Sequence, residues 1–274
     1  MSAAAALISR TGALRLIEAA GAAALAGAFA GILVGGLGSR VAMRISGALS
    51  DAALVGVAVT NNGNVLGQVT LGGTLGLVLF GGLGPGLLFG AIYGAVRPWL
   101  APLGRWGGLA FGLFLLAALG NLVLEPFNID FRKFGSAPLN VALFALLFPL
   151  FGVTVAWAIS RVESGMRDPS RSTGWRVAAD VSALFLGLGL ALGLVAAVGE
   201  LTTNINGPDP RAIVPFFVLG VAVVARVALG RGGTFDDARD IPAPARAITY
   251  ALLLLPALLG ASSTVEAILF LARP

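Results

Sequence analysis

The sequence predicts an all-α membrane protein, a transmembrane bundle of seven helices with its N-terminus inside and its C-terminus outside. Three observations lead there. The 274 residues are 57% hydrophobic and only 11% charged, less than half the charge of an average soluble domain. Mean hydropathy is +0.93. Seven apolar runs approach or reach the roughly 20 residues that cross about 30 Å of hydrocarbon.

The runs are Ala19–Leu37, Gly73–Val96, Trp106–Leu124, Pro138–Ser160, Val177–Gly199, Ala212–Leu229 and Ala247–Leu271. They follow one another closely, as expected of a single polytopic membrane domain over residues 1–274. The first is longer than the 7–15 residues of a signal-peptide core, so it is expected to be a retained span. Pro85, Pro149, Pro215 and Pro256 lie in or near spans, where proline is tolerated and kinks the helix.

Orientation follows from the basic residues. Twelve arginines fall on the N-terminal side of this arrangement, and five arginines with Lys133 on the other. Short cytoplasmic loops carry the excess of Lys and Arg, which places the N-terminus inside. Trp99, Trp106, Trp157 and Trp175 cluster at the inner span ends, the headgroup level that tryptophan prefers.

The longest connection runs from Gly38 to Gly72. Its first part continues the first helix, with Arg40 and Arg44 four apart on one face. Val55, Val57 and Val59 then alternate, an Asn-Asn-Gly-Asn turn follows, and Val65 and Val69 continue. This pattern predicts a short extracytoplasmic β-hairpin between the first two helices.

Glycine is the second strong feature, with 39 residues. Gly27, Gly31 and Gly35 recur at spacing four in the first span, and Gly82, Gly86, Gly90 and Gly94 do so in the second. That spacing puts small residues on one helix face, where another backbone can approach closely. The two spans are expected to pack through these ladders, and a second copy or another subunit is the alternative occupant.

The residue inventory limits the chemistry. There is no histidine and no cysteine, so no thiolate or imidazole serves as nucleophile, general base or metal ligand. The one lysine, Lys133, falls in a loop rather than in a span, so no retinal-type Schiff base is expected. No cofactor or metal site is read from the sequence. The net charge is +5, but its arginines lie in short loops between apolar runs. Membrane orientation explains them better than nucleic acid does, and the lipid bilayer is the expected partner.

Ionisable groups in or near spans default to functional candidates. Glu125 ends the third span, Glu200 ends the fifth, and Glu266 lies in the outer part of the seventh. All three fall toward the outer side, where Arg40 and Arg44 also lie. They form either an acidic outer vestibule or an interfacial salt-bridge network. Glu266 follows Gly260-Ala-Ser-Ser-Thr264, a small polar stretch suited to a helix contact or a polar cavity.

The stretch GQVTLGGTLGLVLFGGLGPGLLFGAIYGAVRPWL, followed by LEPFNIDFR, resembles a group of uncharacterised Gly-rich multispanning bacterial membrane proteins. The resemblance covers the second to fourth spans. It implies a multi-pass protein of the bacterial cytoplasmic (inner) membrane and no activity. Two function classes remain from the residues. One is a non-enzymatic structural or accessory subunit, packing through its Gly-rich helices with other membrane subunits or in a homo-oligomer. The other is a small-solute or ion transporter or channel with an acidic outer vestibule.

Overall fold

The computed structural model describes residues 3–60, 63–125, 128, 130–203, 210–229 and 236–272, without the side chains of 3–15, 194–203, 210–213 and 272. Regular structure among these residues is helical. Helix α1 (Ala3–Ala30) continues through a π-helical stretch, Gly31–Gly38, into α2 (Ser39–Ala48). The second rod is α3 (Leu71–Gly76), a π-helical stretch Leu77–Leu83, and α4 (Gly84–Leu100). Thr70 caps its start, its hydroxyl accepting from Gly73 N–H at 3.1 Å, which satisfies one orphan donor of the first turn.

Gly104 separates α4 from α5 (Gly107–Val123). Its backbone at φ 55°, ψ −127° is a conformation essentially confined to glycine. Without that break, Leu71–Val123 would read as one apolar helix of 53 residues. The one-turn α6 (Asp130–Lys133) precedes α7 (Ala137–Arg167), α8 (Ser172–Thr203), α9 (Pro210–Leu229) and α10 (Ala243–Ala272). Ser136 caps α7 and Pro138 occupies its first turn, where a missing N–H costs nothing.

Five helical stretches among the described residues, with Leu71–Val123 taken as one, are long and apolar enough to cross a membrane, and Val214–Leu229 is a shorter apolar helix. The chain is a multi-pass membrane protein. Its first stretch is 61% buried, the others 17–28%, so α1 lies at the centre and the others turn their apolar faces outward. α1 packs on α4, α7 and α8, while α5 packs on α7 and α10. The core joins Ala23, Ala26 and Ala30 of α1 to Ile92 of α4, Phe111 and Leu115 of α5, and Val155 of α7.

The two rods meet backbone to backbone. A Cβ added at Gly86 would stand 2.5 Å from the Gly27 carbonyl oxygen, one at Gly82 2.8 Å from that of Gly31, and one at Gly35 2.6 Å from that of Gly81. Gly90 meets the Ala23 carbonyl, and Gly94 the Ala23 Cβ at 2.5 Å. The crossing passes through both π-helical stretches, which face each other. A second close crossing joins α5 to α7, where a Cβ at Gly108 would meet the Gly152 carbonyl at 2.6 Å. Approach this close maximises dispersion contact, which drives helix association where lipid removes the hydrophobic gradient.

The β-hairpin expected between the first two helices does not form. Val59 and Val65 make a single antiparallel bridge, with Thr60 N–H donating to Asn64 O and Leu66 N–H to Ala58 O, both at 2.8 Å. No strand extends from it among the described residues; Asn61 and Asn62 lie outside them. Ala52–Leu54 forms a 3₁₀ turn, and Gly56 and Gly67 sit at positive φ on either side of the bridge. These bends end the ladder after one rung. An isolated two-stranded ladder is too weak to resist them.

Candidate functional site

Among the described residues a cleft enters the bundle at each end. At the Arg40 end a cleft of about 600 Å³ is lined by Arg40, Arg44, Asn64, Asp130, Asn140 and Phe144, among others. Arg40 Nη2 donates to Thr74 Oγ1 at 3.1 Å, and Arg44 Nη1 donates to Gly67 O at 3.1 Å. Arg40 thereby ties α2 to α3, and Arg44 ties α2 to the connection between the first two rods. Asn140, 2% exposed, donates from Nδ2 to Phe131 O at 3.0 Å and to Phe134 O. Ser46 Oγ donates to that Phe134 carbonyl at 3.1 Å, tying α2 to the segment before α7.

Of the three glutamates singled out by the sequence, Glu125 and Glu266 are not brought into this cleft. Glu125 is exposed in the connection after α5, and Glu266 is exposed on α10. Neither lines the cleft. Glu200 lies in α8, with its side chain outside the described residues, and Asn204, Asn206 and Asp209 of the following connection lie outside them too. Arg132, nearby, donates to Phe270 O and stacks over the Phe270 ring at 4.4 Å.

The polar stretch before Glu266 makes a helix contact. Asn121 Nδ2 of α5 donates to Ser263 Oγ at 2.9 Å. Thr264 Oγ1 donates to Leu116 O and Ala117 O at 3.4 and 3.3 Å. A Cβ at Gly260 would lie 2.5 Å from the Ala118 carbonyl. Small residues let α5 and α10 approach, and their hydroxyls bond across the seam.

Sequence reasoning missed the cleft at the other end. It measures about 780 Å³ and is lined by Arg97, Arg105, Glu163, Arg167, Arg226 and Asp236, among others. Arg97 of α4 is ion-paired to Glu163 of α7, which Arg167 also approaches at 3.6 Å from one turn on. Arg226, near the end of α9, has a side chain only 14% exposed and stands 3.8 Å from Asp236.

The position of Arg226 has a backbone cause. Pro98 lies inside α4 and has no N–H, so the Gly94 carbonyl four residues earlier loses its helical donor. Arg226 Nη1 donates to that carbonyl at 3.2 Å. Tyr250 of α10 likewise donates its hydroxyl to Trp99 O at 2.7 Å. Side chains of α9 and α10 thus satisfy carbonyls that the end of α4 leaves open. The available signals were Arg226 inside an apolar run and the Glu163–Arg167 spacing of four.

In the connection before α10, Asp237 accepts from the Arg239 guanidinium at 2.7 Å and from Arg239 N–H at 2.8 Å. These bonds hold its carboxyl below the usual carboxylate range. Among the described residues no three acidic side chains gather where they could hold a metal ion.

Compared with protein-family models, with curated proteins and with solved structures, the chain matches none.

Proposed function

We propose that this chain is a non-enzymatic structural or accessory subunit of the bacterial cytoplasmic membrane, a seven-span bundle with its N-terminus and its Arg97 end inside. The observation that carries this reading is the use made of the polar groups within the bundle. Asn121, Ser263 and Thr264 bond across one helix seam, Arg40 bonds to Thr74 of α3, and Arg44 bonds to the connection before it. The layer between the two clefts is filled by side chains such as Phe111, Leu115, Phe151 and Val155. Polar groups spent on helix contacts fit a scaffold better than a conduit.

A second reading, a small-solute or ion transporter, is favoured by the pair of clefts at opposite ends. It requires the Phe111 and Leu115 layer to open.

Purification in mild detergent from the native membrane, followed by mass spectrometry and mass-resolved chromatography, separates the two. A stoichiometric membrane partner or a defined homo-oligomer is the expected result. A lone monomer that carries ions into proteoliposomes would overturn the scaffold reading.

A further inference from the structure

We propose that the cleft at the Arg97 end binds the phosphate-bearing headgroup of an anionic phospholipid. This inference depends on the chain spanning a membrane, and not on the accessory-subunit reading.

Charge comes first. Four arginines line the cleft, against the carboxylates of Glu163 and Asp236. Glu163 is shared between Arg97 and Arg167. The Asp236 side chain is fully exposed and 3.8 Å from its arginine, an arrangement that water screens heavily. Arg105 pairs with no carboxylate among the described residues and lies 5.1 Å over the Trp106 ring. The lining therefore carries surplus positive charge, in the fork geometry that suits phosphate oxygens.

Position is the second observation. The Arg226 side chain is only 14% exposed and is held at the cleft wall by its bond to the Gly94 carbonyl at 3.2 Å, so its charge stands there before any ligand arrives.

The shape of the lining selects the source of the phosphate. Free phosphate would meet the same guanidinium groups. However, the wall continues to Val153, 49% exposed, and Trp157, 51% exposed, on the outward face of α7. Trp157 carries Arg161 over its ring at 5.4 Å, the aromatic-and-basic signature of the headgroup level. A lipid can thus seat its phosphate among the arginines while its chains run along Val153. The volume of about 780 Å³ lies within the roughly 300–1,000 Å³ usual for ligand sites. Basic pockets between spans are a recurring form of anionic-lipid site.

The test uses the full chain, stripped of lipid in detergent and offered phosphatidylglycerol or phosphatidylcholine, with retention read by native mass spectrometry. Phosphatidylglycerol is expected to be retained in preference to phosphatidylcholine. The double variant Arg105→Gln, Arg167→Gln is expected to weaken that retention about thirtyfold, from the usual effect of two membrane-surface arginines. Its lipid-free melting temperature checks that it still folds. The variant Arg171→Gln, Arg176→Gln removes the same charge from exposed positions outside the cleft lining and is expected to retain phosphatidylglycerol. Equal retention of the two lipids, or equal loss in the two double variants, would overturn the site. Displacement of phosphatidylglycerol by inorganic phosphate at millimolar concentration would overturn the lipid assignment in favour of a soluble anion.

Discussion

The most instructive contact at the scale of single residues is Arg226 on the Gly94 carbonyl. A proline four residues on creates the vacancy, and an arginine from a distant helix fills it. This makes the two positions energetically coupled. Arg226→Met leaves the carbonyl without a partner and should cost about 1–3 kcal/mol of stability, read as a lower thermal midpoint in detergent. Adding Pro98→Ala gives the carbonyl back its own helical donor, so the double variant should recover part of that loss. A strictly additive double variant would show that the contact contributes nothing. The same logic explains why the role of Arg226 was not legible in the sequence. A charge near a span end reads as a boundary marker, and only the neighbouring helix shows which acceptor it serves.

The glycine crossing governs the scale of elements. Spacing-four glycines were visible in the sequence, because a helix puts i and i+4 on one face. The π-helical geometry of Gly31–Gly38 and Leu77–Leu83 was not visible. A change from i+4 to i+5 bonding leaves no mark on composition, and in this case it accompanies the contact between two backbones. With the wider turn, Gly36 joins Gly35 at the crossing, its added Cβ standing 3.0 Å from Val78 Cα. Gly27→Ala sets a methyl against the Gly86 and Gly90 backbone, where no flexible side chain can yield. It should destabilise by about 1–3 kcal/mol. Gly189→Ala in α8, where an added Cβ meets nothing within 4 Å, should be neutral or stabilising by up to about 1 kcal/mol. Equal thermal midpoints for the two variants would remove the argument that the first crossing is sterically tight.

At the scale of the whole molecule, orientation assigns each cleft to one side of the membrane. The chain contains no cysteine, so single cysteines report on a clean background. Ser170→Cys lies in the exposed connection between α7 and α8, and Val57→Cys, 77% exposed in the native residue, lies at the Arg40 end. With the Arg97 end inside, a membrane-impermeant maleimide should label the Val57 position in intact cells of a suitable host. It should reach the Ser170 position only after the membrane is opened. The reverse pattern would invert the orientation and place the arginine cleft in the outer leaflet.

Composition and hydropathy by themselves determined that this protein lives in a membrane, because apolar run length answers directly to bilayer thickness. The absence of histidine and cysteine bounded its chemistry before any fold was considered. Glycine spacing marked two helix faces capable of close packing. Tertiary structure alone decided where the charges go. Arg40 reaches α3 and Arg44 the connection before it, Glu125 and Glu266 stay exposed, and Glu163 meets Arg97 across 66 residues of sequence. Such pairings depend on the depth and rotation of one helix against another. Those are set by packing across the whole bundle, and no local pattern records them. The failed hairpin has the same origin in reverse. Alternating valines met the local rule for a strand, but the sheet partners that stabilise a strand were never supplied.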